Sequence, residues 1–305
     1  MKLLSLFLVA LFSMVSLADE PIKPIPEHIN VNTQKAALGR KLFFDTQLSA
    51  DNTINCASCH ILSEGGDDNL PSSFGIYGQK GPINAPTVYN ALFNFRQFWD
   101  GRAATLKEQA SGPIENPKEM GSSFKTLIPR LKKTPYNEEF HKIYKDGITK
   151  ANIADAIAEY EKTLITPNAP FDRYLRGDKH AITKEQKEGY ELFKAKGCIS
   201  CHHGVNVGGN LYNKFGIFQE SKSKNFGRYN VTHKERDKYY FKVPSLRNIA
   251  RTAPYFHDGR TYDLKQAVYI MAKYQLGRKI TEEEVNKIVA FLKSLNGELP
   301  KNIEP

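Results

Sequence analysis

Cysteine is scarce in this sequence, which has only four among 305 residues. They form two pairs, Cys56 with Cys59 and Cys198 with Cys201. Both pairs belong to the same short motif, so no thiol is left over for a structural disulfide. Zinc ribbons place their second pair about 15–20 residues after the first, whereas these pairs lie in different halves of the chain. The spacing therefore disfavours a zinc ribbon.

Long apolar runs are lacking beyond residues 1–18. That segment has a positive charge near its start, an apolar stretch over residues 3–12, and small residues at Ser16 and Ala18 that suit a signal-peptidase cut before Asp19. The apolar stretch is shorter than the ~20 residues that a membrane-spanning helix needs. The sequence therefore predicts a cleaved signal peptide and a mature, exported protein without a membrane span.

Alternation of apolar and polar residues, the pattern of a β-strand, is also scarce, whereas helical spacing recurs. Residues 33–44 and 149–164 carry apolar side chains at helical intervals. Three capping patterns, at residues 105–108, 183–186 and 281–284, mark further helix starts. The sequence therefore predicts a mainly α fold.

Each cysteine pair is followed directly by a histidine. The two motifs are Cys56-Ala57-Ser58-Cys59-His60 and Cys198-Ile199-Ser200-Cys201-His202. Cys-x-x-Cys-His is the attachment motif of a c-type haem, in which both thiols bond the porphyrin and the imidazole binds the iron. A redox dithiol or half of a zinc site would not require the histidine. The sequence therefore predicts two covalently bound haems c, which together with export indicates a bacterial periplasm.

The two halves of the chain also share an internal repeat around these motifs, which supports a duplicated domain. The matching segments are Gly39-x-x-Leu42-Phe43 with Gly189-x-x-Leu192-Phe193, Pro86-Thr87-Val88-x-Asn90 with Pro244-Ser245-Leu246-x-Asn248, and residues 98–102 with 256–260. We therefore predict two cytochrome-c-like domains, residues 19–170 and 171–305, each with one haem.

Methionine, which can bind haem iron opposite histidine, is rare: only Met120 and Met271 remain after the signal peptide. Met271 lies between the second haem motif and the last predicted helix, where cytochromes c usually supply this ligand. We predict Met271 as the second ligand of the iron at His202, a pair that gives an electron-transfer centre. Met120 is interpreted as core.

The first haem has no comparable ligand, because no histidine lies between His60 and His141. An open iron that cleaves peroxide needs a carboxylate nearby to move a proton from one oxygen to the other. Glu108, Glu115 and Glu119 follow in the chain, and their spacing does not choose among them.

Four longer stretches of the sequence resemble motifs of bacterial di-haem cytochrome c peroxidases, and the resemblance covers nearly the whole mature chain. They are GPINAPTV at 81–88, FWDGR at 98–102, QASGPIENPKEM at 109–120 and TAPYFHDG at 252–259. The resemblance implies a peroxidatic N-terminal haem and a C-terminal haem, bound by His and Met271, that receives electrons. It assigns Glu119 as the acid–base carboxylate with Gln109 beside it, and Trp99 as the electron path between the haems. The alternative for Trp99 is a plain core aromatic.

The same resemblance implies a calcium ion between the domains. Its ligands would be Asn84 and the backbone carbonyls of Thr252 and Pro254, an oxygen-only set of the kind that suits Ca²⁺.

Ile76 departs from the pattern of this family. Many members have a histidine at this place, in a loop that closes the resting peroxidatic haem, and isoleucine cannot bind iron. Tyr77 is adjacent, and tyrosinate binds haem iron in catalase, but it is displaced by one position. The usual activation by reduction is therefore in question.

These features predict a periplasmic peroxidase that reduces hydrogen peroxide to water with electrons from a small redox protein, such as a monohaem cytochrome c. Family members are commonly dimers, which implies a homodimer. The formal net charge of +10 indicates solvated lysines or a face that attracts an acidic redox partner; export argues against nucleic acid.

One alternative is a di-haem oxidase acting on a protein substrate, although the enzyme that matures methylamine dehydrogenase has Tyr in place of Met271. The other is a two-haem electron carrier without enzymatic activity.

Overall fold

The computed structural model describes residues 20–220, 223–301 and 303–304. The predicted signal peptide, residues 1–18, lies outside the described residues. The described part of the chain is mainly helical, as predicted, with one two-stranded antiparallel sheet. The helices are α1 Thr33–Phe43, α2 Leu106–Glu115, α3 Phe124–Leu131, α4 Tyr136–Ile143, α5 Lys150–Glu161, α6 Pro170–Leu175, α7 Lys184–Ala195, α8 Tyr229–Thr232, α9 Leu264–Ile270 and α10 Glu282–Lys293, and the strands are β1 Tyr212–Lys214 and β2 Tyr240–Lys242.

The predicted helix starts are confirmed by their capping bonds. The side chains of Thr183 and Thr281 each accept a hydrogen bond from the backbone N–H three residues on. In turn, the side chains of Gln186 and Glu284 accept a hydrogen bond from the backbone N–H of Thr183 and Thr281. Thr105 caps α2 in the same way through the Glu108 backbone, but the Glu108 carboxylate accepts from the backbone of Ala104 instead. These side chains satisfy amides that the first helical turn leaves without partners.

The internal repeat corresponds to a repeated helix crossing. In the first half α1 packs on α5, and a Cβ at Gly39 would lie 1.8 Å from the Ala156 carbonyl oxygen. In the second half α7 packs on α10, and a Cβ at Gly189 would lie 1.9 Å from the Lys287 carbonyl oxygen. Glycine at both places lets the two backbones approach closely, so the repeated glycine sets the geometry of both halves.

A second repeated residue joins the two halves. Asn90 and Asn248 both adopt left-handed backbone conformations, with φ of 60° and 59°. Both side-chain amides donate to the Thr166 hydroxyl, at 2.8 and 2.9 Å. The corresponding turns of the repeat therefore meet at one buried residue.

Each half has its own hydrophobic core, but the ends of the chain cross over. The first core is built from α1, α2, α3, α4 and α5, and the C-terminal residues Leu299 and Ile303 pack against it. Ile22, near the N-terminal end of the described chain, lies in the second core with Phe171 and Phe291. The two terminal segments therefore tie each half to the other.

A buried ion pair holds the N-terminal segment in place. The guanidinium of Arg247 lies 2.7 Å from the Asp172 carboxylate, and both side chains are fully buried. Arg247 also donates to the Lys23 carbonyl at 2.9 Å.

Among the described residues, no helix is both long and apolar enough to cross a membrane.

Candidate functional site

The first haem motif forms a single 3₁₀ turn, Cys56–Ser58, capped by Asn55. The Nδ1 atom of His60 lies 3.0 Å from the Gly66 carbonyl oxygen. Loss of hydration lowers the pKa of His60, so its imidazole is neutral near pH 7. Nδ1 then carries the proton and donates it to the carbonyl, which leaves Nε2 as a metal ligand.

The second motif repeats this arrangement. Its turn is Cys198–Ser200, and Nδ1 of His202 lies 3.3 Å from the Val207 carbonyl oxygen. Desolvation lowers the pKa of His202 to about 4, so this imidazole is also neutral. Both motifs thus present two thiols and one imidazole in the form that haem c attachment requires.

A cavity with mostly apolar walls adjoins the second motif. His202, Met271 and Trp99 all line it. Met271 begins a single π-helical turn, Met271–Gln275, that continues α9, and such turns occur frequently at functional sites. Met120, by contrast, is buried in the first core. The structure therefore brings Met271 and His202, but not Met120, to one cavity.

Trp99 lies in this cavity and is held at both ends. Its indole N–H donates to the Asn84 carbonyl at 2.9 Å, and its backbone carbonyl accepts from Lys242 at 2.8 Å. The ring of His257 meets it edge to face, with the centroids 6.1 Å apart. These contacts fix the indole in one orientation.

His257 is occupied by other contacts. Its Nε2 lies 2.7 Å from the hydroxyl of Ser223, and its ring stacks on Phe241 with the centroids 4.1 Å apart. Desolvation lowers its pKa, so the ring is neutral. These contacts favour Met271 over His257 as a ligand for the iron at His202.

Of the three candidate carboxylates, Glu119 is the one in the electrostatic neighbourhood of the first motif. Desolvation raises the pKa of the Cys59 thiol to about 11, and the nearby carboxylates of Asp68 and Glu119 contribute to the rise. Glu115 instead forms an exposed ion pair with Lys150 at 2.6 Å. Glu108 is exposed and bonds the chain at the start of α2.

Glu119 is a partly desolvated acid held by a neighbouring amide. Asn116 donates to its carboxylate at 2.6 Å. Desolvation raises the pKa of Glu119, although the positive charge of Arg102 and the bond from Asn116 oppose the rise. Gln109 lies half-buried on α2, the helix that precedes the turn carrying Glu119.

The loop at Ile76 packs directly against this turn. The Ile76 side chain is 1% exposed, and its backbone N–H donates to the Glu119 carbonyl at 2.7 Å. A Cβ at Gly75 would lie 2.1 Å from the Lys118 carbonyl oxygen, so only glycine allows this approach. Tyr77, the adjacent residue of this loop, is 76% exposed.

The residues predicted to bind calcium line the same cavity as His202, Met271 and Trp99. Asn84, Thr252 and Pro254 all contribute to its wall. The Asn84 amide nitrogen donates to the Leu70 carbonyl at 2.9 Å, which leaves its Oδ1 available for a cation. Within the described ranges, no group of three or more His, Cys, Asp or Glu side chains is arranged to hold a metal. A calcium ion would therefore depend mainly on amide and carbonyl oxygens.

Asp67, which the sequence did not point out, adds a carboxylate to this wall. It is 1% exposed, and its Oδ1 has no hydrogen-bond partner in the described structure. A Cβ at Gly65 would lie 2.6 Å from this oxygen and 2.9 Å from Cγ2 of Thr252, so Asp67 and Thr252 border the same small space. Burial raises the pKa of Asp67 to about 7, so much of this carboxyl is neutral near pH 7 when no cation is near. A cation would favour its ionised form, so the residues present fit calcium.

Comparisons with known proteins match both halves of the chain. A family model described as di-haem cytochrome c peroxidase matches residues 33–180, and a cytochrome c model matches residues 186–296. The cytochrome c551 peroxidase of Nitrosomonas europaea is 50% identical, with 98% of this chain and 91% of the relative covered. The cytochrome c peroxidase of Escherichia coli is 51% identical over 92% of this chain, which spans 62% of the length of that relative.

The fold is shared with a solved structure as well. A crystal structure of a MauG-like protein associated with microbial copper homeostasis has a TM-score of 0.80 and 26% sequence identity, with 91% of this chain and 93% of that chain covered. The sequence matches and the shared fold therefore indicate one family. The chain belongs to the di-haem cytochrome c peroxidase family.

Proposed function

We propose that this protein is a periplasmic peroxidase that reduces hydrogen peroxide to water with single electrons from a small redox protein, such as a monohaem cytochrome c. The observation that carries the proposal is the desolvated carboxyl of Glu119 beside the first haem motif. The haem attached at Cys56 and Cys59 would supply the iron at which peroxide is reduced. The overall reaction consumes two electrons and two protons and yields two waters.

Glu119 would move the proton that this reaction requires. As a carboxylate it accepts a proton from one oxygen of peroxide, and as an acid it returns the proton to the oxygen that leaves as water. Its raised pKa makes both forms accessible closer to neutrality. Asn116 holds the carboxylate, and Gln109 is proposed as its neighbour on α2. Positioned proton transfer of this type contributes about 10²–10⁴ in rate.

Trp99 would connect the two haems. It lines the cavity that also contains His202 and Met271, and its indole N–H bonds the segment that leads away from the first motif. In this scheme the haem bound by His202 and Met271 receives electrons singly from the donor. A rigidly held aromatic ring between the haems then shortens the distance of each transfer.

Calcium would lie at the wall formed by Asn84, Thr252 and Pro254, with the carboxylate of Asp67 nearby. Since Trp99 bonds the Asn84 carbonyl, an ion at Asn84 would also stabilise the position of the indole.

Two domains, residues 19–170 and 171–305, stay a prediction, as does the homodimer. The packing of Phe171 in the second core supports a boundary near residue 170.

The decisive experiment is steady-state consumption of hydrogen peroxide by the haem-loaded protein with a reduced monohaem cytochrome c as donor. We expect oxidation of the cytochrome to depend on peroxide, and a pyridine haemochrome assay to give two haems per chain that acid–acetone does not extract. A two-haem carrier would give the same haem count without turnover. A stoichiometry of one haem, or free haem in the extract, would contradict the proposal.

A further inference from the structure

A lysine is buried in the wall of the cavity at the second haem motif. Lys242 ends strand β2 and is 5% exposed. Its backbone N–H donates to the Trp99 carbonyl at 2.8 Å, so it is held next to the indole. Burial alone lowers the pKa of Lys242, to about 8, so the ammonium is still mostly charged at pH 7.

This charge has no counter-ion in the part of the chain that the structure describes. Desolvation is the one influence on the pKa of Lys242, and no carboxylate of the described residues acts on it. The neighbouring Phe241 and His257 form a stack in which the imidazole is neutral. Lysine is almost never fully buried without a partner, because an isolated charge in an apolar interior is costly.

Asp67 is an acidic residue in the wall of the same cavity, but it does not pair with Lys242. Its Oδ1 has no partner, and it borders Thr252 and Gly65 instead. The balancing anion must therefore belong to the molecule that fills the cavity. Haem c carries two propionate carboxylates, and the thiols of Cys198 and Cys201 open onto the same cavity as Lys242.

We propose that the ammonium of Lys242 binds a propionate of the haem attached at Cys198 and Cys201, and so fixes this haem beside Trp99. The proposal rests on haem attachment at the second motif and does not depend on peroxidase activity. Lys242 is a positioning residue in this scheme. Its side chain holds the haem, while its backbone holds the tryptophan that is proposed to receive the electron.

The charge also has a consequence for the redox equilibrium. A positive charge near a haem favours the ferrous state, which carries one more electron, and a dry site strengthens the effect. Replacing Lys242 by an uncharged residue should therefore lower the reduction potential of the haem at His202. Arginine in the same place should preserve it.

The test is a spectroscopic redox titration of the haem-loaded wild type and of Lys242→Met, Lys242→Arg and Lys234→Met. Lys234 is exposed and does not line the cavity, so its removal is a matched loss of one charge. For Lys242→Met we expect the ferrous-to-ferric ratio of the His202 haem at a fixed potential to fall at least tenfold, equivalent to about 59 mV. Lys242→Arg and Lys234→Met should change it less than about threefold, because charge is kept or solvent-screened.

Resonance Raman spectra of the same proteins provide a second readout. The propionate bending band of the His202 haem should shift in Lys242→Met and stay in place in Lys242→Arg. Unchanged potential and unchanged band in Lys242→Met would overturn the proposal. If Lys242→Met fails to acquire the second haem, Lys242→Gln replaces it. Failure of both while Lys242→Arg acquires the haem would support the proposal, and failure of all three would overturn it in favour of a purely structural role.

Discussion

At the scale of single residues, the candidate site at the first haem motif depends on two neighbouring residues, Glu119 and Ile76. Glu119 becomes a usable acid–base group near neutrality because desolvation raises its pKa, and the exposed Glu115 lacks this environment. Ile76 is a buried apolar residue, and its backbone N–H donates to the Glu119 carbonyl. We therefore predict that Glu119 carries the proton transfer and that Ile76 leaves the iron without a ligand from this loop.

Glu119→Gln keeps the shape of the side chain and removes its titratable proton. We expect kcat/KM for hydrogen peroxide to fall by at least about 10²-fold while both haem spectra stay unchanged. Glu115→Gln is the matched control, because it changes an exposed carboxylate of the same segment. Turnover near the wild-type value in Glu119→Gln would move the role to another group.

The pH dependence of the wild type follows from the same residue. Glu119 must be ionised to accept the proton from peroxide, so kcat/KM should fall as the pH drops below its pKa. Because desolvation raises that pKa above its ordinary value of 4.5, the acidic limb should lie above pH 4.5. This limb should disappear in Glu119→Gln. A limb at or below pH 4.5 would contradict the assignment.

The residue at Ile76 predicts a resting enzyme that is open to peroxide. The oxidised wild type should show a high-spin ferric haem beside a low-spin one by EPR, and should react with peroxide without prior reduction. Ile76→His should partly restore a low-spin resting state and make turnover depend on pre-reduction. Tyr77→Phe should change neither, because Tyr77 faces solvent. Two low-spin centres in the oxidised wild type would show that another side chain closes the site.

At the scale of elements, short irregular turns rather than long helices carry the proposed haem ligands. The haem motifs lie on 3₁₀ turns, and Met271 begins a π-helical turn after α9. The long helices determine how these turns approach each other, through the close crossings at Gly39 and Gly189.

Met271→His tests the ligand that this π-helical turn presents. Replacing the thioether by a second imidazole should lower the potential of the haem at His202 strongly, because Met opposite His raises it. Peroxide should still bind at the other haem, while turnover with the cytochrome donor should fail. Redox titration checks the first expectation and stopped-flow mixing the second. An unchanged potential would move the ligand elsewhere, with His257 as the next candidate.

Gly39→Ala tests the crossing of α1 and α5. The added methyl group would lie 1.8 Å from the Ala156 carbonyl, so the helices must separate. We expect a loss of at least about 1–3 kcal/mol in the free energy of unfolding, measured by urea denaturation, as for other overpacked cores. Gln34→Ala on the exposed face of α1 should stay within about 0.5 kcal/mol of the wild type. Equal midpoints for the two variants would mean that the crossing is not tightly packed.

At the scale of the whole molecule, the two halves are joined by groups far apart in sequence. Asn90 and Asn248 meet at Thr166, and Ile22 packs in the second core. The cavity wall that combines Asn84 and Asp67 with Thr252 and Pro254 belongs to the same junction. A calcium ion there would tie segments from both halves together.

Asp67→Asn tests this junction through calcium affinity. The carboxylate adds a negative charge beside neutral oxygens, and the charge of the ligands tunes Ca²⁺ affinity. By isothermal titration of the calcium-depleted, haem-loaded protein, we expect the dissociation constant to rise at least tenfold, about 1.4 kcal/mol. Glu115→Gln removes an exposed carboxylate away from this wall and should leave the affinity unchanged. Equal affinity in Asp67→Asn, or no binding by the wild type, would contradict the calcium assignment.

Features that depend on local chemistry could be predicted from the sequence. The haem motifs, the capping patterns at Thr183 and Thr281, and the repeated glycines at 39 and 189 are each specified by residue types within a few positions. The short helices α3, α4 and α9 are seen only in the structure, although Ser123 caps α3 and Asp263 caps α9.

Which distant residues meet could be seen only in the folded chain. It separated Glu119 from Glu115 and Glu108, because only packing determines which carboxylate loses its water. It also showed that Asp67 and Lys242 are buried, which no spacing in the sequence reveals. The physical reason is that desolvation depends on atoms from distant segments, whereas the sequence describes only neighbours along the chain.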